Sequence, residues 1–80
     1  MNERVALVVH PSDDVATLMD DDRQLTRAAG LDVASGVPFG HKIAVRDIAA
    51  GAPVRKFGVV IGYATTAIAA GEHVHVHNLC

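Results

Sequence analysis

Three aromatic residues (Phe39, Phe57 and Tyr63) and no tryptophan are all that this 80-residue chain offers for bulky packing, so its interior must be aliphatic. A chain of this length buries only about 60% of the surface that its unfolded form exposes. One small domain spanning residues 1–80 is therefore expected, short of core and leaning on a partner. Cysteine is scarcer still: Cys80 is the sole copy, which excludes an internal disulfide and a Cys-rich zinc site. Positive charge is not in excess, since seven Lys and Arg stand against nine Asp and Glu. The cationic footprint that nucleic acid and anionic membrane surfaces require is missing. No apolar run approaches the roughly 20 residues of a membrane-spanning helix. Met1-Asn2-Glu3-Arg4 has neither the basic segment nor the small-residue cleavage site of a secretory signal. A cytoplasmic protein with no nucleic-acid and no membrane partner is expected. A Gly-rich phosphate loop is absent too, and Ser12 and Ser35 sit in loop sequence without a positioned base, which removes nucleophilic serine chemistry.

What is present reads as β structure. Short runs rich in β-branched residues are punctuated by Gly, Pro and Asp, and no sustained 3.6-residue stripe appears. The pattern predicts strands over 4–10, 14–18 and 24–28, then 41–46, 54–57 and 59–61, and finally 72–78. A turn is expected at His10-Pro11-Ser12-Asp13-Asp14 and a loop over 30–36. Asp20-Asp21-Asp22 lacks the Gly and distal Glu of a calcium loop and reads as a solvated turn. Within 41–46, alternation places Lys42, Ala44 and Arg46 on one face and His41, Ile43 and Val45 on the other. A quasi-repeat is also visible. Ile48-Ala49-Ala50-Gly51 with Val54 realigns on Ile68-Ala69-Ala70-Gly71 with Val74 at a spacing of 20 residues. Two copies are too few for a solenoid and point to pseudo-symmetry within one fold.

Five histidines stand in the chain, three of them in Glu72-His73-Val74-His75-Val76-His77-Asn78. On a strand, His73, His75 and His77 share one face and the valines the other. Two readings are open: metal ligation, because neutral imidazole is the commonest side-chain ligand, or a polar edge strand. A straight strand puts the outer two histidines roughly 13 Å apart at Cα. Two adjacent imidazoles then suit one ion better than all three, and further ligands must come from His41, Glu72 or another chain. His41 and Lys42 offer a general base and an anion-binding ammonium, or alternatively an ordinary strand start. His10, before Pro11, reads as a turn residue.

Gly40-His41-Lys42-Ile43-Ala44, Asp47-Ile48, Lys56-Phe57-Gly58-Val59-Val60-Ile61-Gly62-Tyr63-Ala64-Thr65, Ile68 and the run from Gly71 to Leu79 occur in an order that resembles the SAF-type small domain of the altronate and galactarate dehydratase family. The resemblance covers about Pro38 to Leu79, while Asp20 to Gly36 matches no motif. It implies an all-β, SAF-like β-clip of short strands. It also implies membership of a metal-dependent lyase, a hydro-lyase or sulfo-lyase acting on a sugar acid or 2-hydroxy acid such as altronate, galactarate or sulfolactate. The small subunit would complete the active site of a larger catalytic subunit and be inactive alone. Under that resemblance His41 and Lys42 are the catalytic candidates, Lys42 and Asn78 bind substrate, and His73, His75 and His77 hold a divalent metal, Fe2+ or Mn2+. The rival reading is a non-catalytic SAF-type module that binds a carbohydrate acid or docks on a partner. A third is a standalone metal-binding protein.

Overall fold

A computed structural model describes residues 2–80, and no helix forms among the described residues. Eight short strands make up the fold: β1 (Ala6–Leu7), β2 (Val15–Leu18), β3 (Arg27–Ala28), β4 (Leu31–Asp32), β5 (Lys42–Ala44), β6 (Pro53–Lys56), β7 (Val59–Tyr63) and β8 (His73–Val74). A four-stranded antiparallel sheet has the order β1-β2-β5-β8, and β3-β4 and β6-β7 form two separate hairpins. The all-β expectation holds.

Two aliphatic cores flank the central strands. Ala44 and Val15 belong to one, with Ile48, Val54, Ala64, Ile68 and Val74. Ile43, Ala16 and Leu18 belong to the other, with Ala28, Val33 and Val37. The two faces that alternation predicts for 41–46 are both buried here: Ile43 and Ala44 are fully buried, one in each core. Strand β5 lies between β2 and β8, so its alternation separates two cores instead of core from solvent.

The strands are also shorter than the pattern predicts. Only Ala6 and Leu7 of the 4–10 run pair with β2, because the chain turns at His10, whose carbonyl accepts from Asp13 N at 3.0 Å. The 24–28 run reduces to β3, and the expected loop over 30–36 contains β4. The 72–78 run ends as a strand at Val74. Beyond it, the N–H groups of Asn78 and Leu79 both donate to the His75 carbonyl, at 3.1 and 2.9 Å, and the chain reverses.

The quasi-repeat is a true pseudo-twofold. Ile48 N donates to Ile68 O at 2.7 Å, and Ile68 N donates to Ile48 O at 2.8 Å. Gly51 N donates to Ala64 O and Gly71 N to Ala44 O, both at 2.7 Å. Ala64 N donates to Ala52 O and Ala44 N to Glu72 O, both at 2.9 Å. The same operation carries the β6-β7 pairs Pro53↔Tyr63 and Val54↔Gly62 onto the β8-β5 pairs His73↔Ile43 and Val74↔Lys42.

Two buried ionic groups, neither singled out by sequence pattern, fix the chain outside this symmetry. Arg4 donates to the carbonyls of Val37 and Asp20 and pairs with the Asp20 carboxylate at 3.2 Å. Asp20 is thus a partner of a buried cation, which corrects the expectation of a merely solvated turn. Asp13 accepts backbone N–H bonds from His10, Phe57 and Gly58 at 3.2, 3.0 and 2.9 Å. Burial raises the Asp13 pKa, but these donors outweigh it and hold the carboxyl below its ordinary value.

Candidate functional site

The β5-β8 pairing assembles the histidines. Ile43 lies opposite His73 and Lys42 opposite Val74, which leaves His41, just before β5, beside His75, just after β8. Their rings stack with centroids 4.1 Å apart and planes 17° from parallel. His41 Nδ1 lies 2.9 Å from His73 Nε2, a hydrogen bond in which one ring carries the proton. One nitrogen from each of His41, His73 and His75 lies within 4.8 Å of the others, and all three side chains are half-buried. His77 packs on His73 with centroids 5.4 Å apart.

The expected straight row is therefore corrected. Because the strand stops at Val74, the reversal over 75–78 folds the histidines into a cluster, and His41 enters it from the neighbouring strand. Asn78 makes the reversal. It is buried, its Oδ1 accepts from His75 N at 2.9 Å, and its Nδ2 donates to His73 O at 2.9 Å. Lys42 is half-buried on the same strand as Ile43. His10 lies elsewhere, in its turn, with Ser12 Oγ 2.8 Å from its Nδ1.

Electrostatics favour neutral rings. Burial lowers the His73 pKa, and the neighbouring His41, His77, His75 and Lys42 push the same way. Desolvation lowers His75, reinforced by His41, Lys42 and His77. Burial also lowers Lys42, with Lys56 adding to the effect. Neutral imidazole is the form that binds metal. Two nitrogens bonded to one ion at about 2.0–2.1 Å stand about 2.9 Å apart at a right angle and about 4.2 Å apart when opposite. The three nitrogens lie within 4.8 Å of one another, and an ion held by His41 and His73 would take the place of the proton between them. A set made only of imidazoles suits iron better than manganese, which prefers oxygen donors.

The histidines do not line the open depression of about 530 Å³ over the pseudo-twofold, which Asp47, Ile48, Ile68 and Glu72 border.

Comparison with known proteins shows the family. The sequence profile of the altronate/galactarate dehydratase SAF domain matches residues 4–80. The chain belongs to that family. The match takes in the N-terminal half as well, beyond the Pro38 to Leu79 motifs. This SAF domain is 45% identical over 62 residues to the (2R)-sulfolactate sulfo-lyase subunit alpha of Chromohalobacter salexigens, covering 78% of this chain and 62% of that one. It is 43% identical over 74 residues to the altronate dehydratase of Escherichia coli, covering 88% of this chain and 15% of that one. To the galactarate dehydratase (L-threo-forming) of Escherichia coli it is 39% identical over 69 residues, covering 82% of this chain and 13% of that one. The SAF domain thus spans less than two thirds of the length of these relatives. Its relationship is to lyases, and no helix among the described residues is long and apolar enough to cross a membrane.

Proposed function

We propose that this SAF domain contributes a metal-binding face to the active site of a hydro-lyase or sulfo-lyase acting on a sugar acid or 2-hydroxy acid. The observation that carries the reading is the convergence of His41, His73 and His75 in a member of a dehydratase family. These three imidazoles hold a divalent ion, and of the two that the resemblance implies, iron suits the donors better than manganese; His77 borders the site. The ion, when bound, polarises the carboxylate and hydroxyl oxygens of the substrate. Lys42 takes the proton α to the carboxylate. Burial and Lys56 favour its neutral form, and once protonated it balances the substrate's negative charge. Asn78 acts through the histidines as a positioning residue, because both ends of its amide hold the turn that carries them. The remaining wall of the site, and most of the catalytic body, lie in a larger lyase chain, in keeping with the small share of the dehydratases that this domain spans.

The test combines the SAF domain with the large lyase chain of the same organism and measures turnover of altronate, galactarate and sulfolactate. Replacing His73 and His75 together by Ala is expected to abolish turnover and to remove iron found by elemental analysis. Unchanged turnover in the double variant would sink the direct role and favour a docking module without catalytic residues.

A further inference from the structure

The β6-β7 hairpin projects an apolar surface that nothing in the fold covers. Phe57, Val59 and Tyr63 are 56%, 59% and 56% exposed, and Val60 and Ile61 are also open to solvent. A surface of this kind is unusual for a small soluble domain unless it meets something. Its tip is held in a costly conformation. Phe57 has φ 58°, which side chains other than Asn, Asp or Gly seldom adopt. The buried Asp13 carboxylate keeps it there through the N–H groups of Phe57 and Gly58. Backbone strain of this sort points to a function for the residue so displayed.

Charge identifies the occupant. The hairpin carries Arg55 and Lys56 and no carboxylate of its own; of the two carboxylates packed against it, Asp13 is buried on backbone N–H groups and Asp14 is taken up by Arg55 N and Arg46, and Lys56 Nζ lies 4.8 Å from the Phe57 ring centroid. A second copy docked through the same face would bring these cations toward their own equivalents, because a twofold interface repeats one patch on both sides. A different chain, apolar at its centre and acidic at its rim, fits instead.

We propose that the β6-β7 hairpin is the arm on which this SAF domain docks, with Phe57 as anchor, against an apolar, acid-rimmed surface of the larger lyase chain. The identity of that occupant rests on the proposed function.

Sedimentation of the SAF domain with the large lyase chain of the same organism tests the arm, using Phe57→Asn and Val59→Thr. Asn suits the left-handed conformation, so Phe57→Asn is expected to melt no lower than the natural domain while its Kd for the large chain rises at least tenfold, and Val59→Thr is expected to weaken binding in the same direction. Equal affinity of both variants and the natural domain overturns the arm but leaves the partnership standing. Failure of the natural domain itself to bind overturns both. A dimer of the natural domain that Phe57→Asn dissociates overturns the choice of partner in favour of a second copy.

Discussion

The β6-β7 and β8-β5 pairs occupy equivalent places about one pseudo-twofold, yet one is an apolar arm and the other a histidine site. Val54 and Val74 fill the same core in the same way, both fully buried, and the backbone hydrogen bonds around Gly51 and Gly71 match pair by pair. The two halves part company just past each valine. After Val54 the strand runs on through Arg55 and Lys56 to a tight turn. After Val74 the chain reverses at once, and His75 lands on His41. The scaffold is thus shared, and the chemistry depends on whether a strand continues or stops two residues later.

The comparison breaks most severely at its two glycines. A Cβ on Gly71 would stand 1.9 Å from the Asp32 carbonyl oxygen, whereas one on Gly51 meets nothing within 4 Å. Both have positive φ, so Gly51→Ala costs only the conformational strain, about 1–2 kcal/mol. Gly71→Ala must also push the β3-β4 hairpin away, and thermal melts are expected to find it unfolded or nearly so. The two polar clamps come next. Asp13→Ala strands three backbone donors behind the β6-β7 turn. Asn78→Ala removes one bond in each direction from the reversal over 75–78, a loss of about 1–3 kcal/mol. Denaturation should rank Asp13→Ala as the more damaging, and only Asn78→Ala should alter iron retention.

Acid provides the mildest distinction. The folded-state pKa values of His73 and His75 lie below the ordinary 6.5, so as pH falls through 6.5 the unfolded chain takes up protons that the folded one refuses. The stability from these neutral rings is complete above 6.5 and is lost on going lower. The Asp13 pKa lies below 3.8, so its contribution is complete above 3.8 and persists well after that of the histidines has gone. Hydrogen exchange at pH 7 and pH 5 should therefore show β8 losing protection while β6 and β7 keep theirs.

Much of the architecture is legible along the chain. The β-branched runs, the turn at His10 to Asp14 and the 20-residue quasi-repeat all reappear as structure. His73 and His75 are recognisable from their spacing, and His41 from its place after Gly40. The row geometry is not legible, because period-two alternation is equally compatible with a strand of seven residues and with one of two that ends in a turn. The buried Arg4 and Asp13 escape as well. Arg4 looks like an ordinary charged residue near a strand end and Asp13 like a turn residue bonded to nearby backbone, and it is partners 16 to 45 residues distant that bury them.

Residue order alone determined that the core is aliphatic, that the elements are strands, and that Ile, Gly and Val recur in phase, since these depend on composition and local backbone preference. Tertiary structure decided which histidines meet. The convergence of His41 with His73 and His75 depends on the register of β5 against β8 and on the reversal that Asn78 holds, contacts between positions 32 to 34 residues apart that no local pattern encodes.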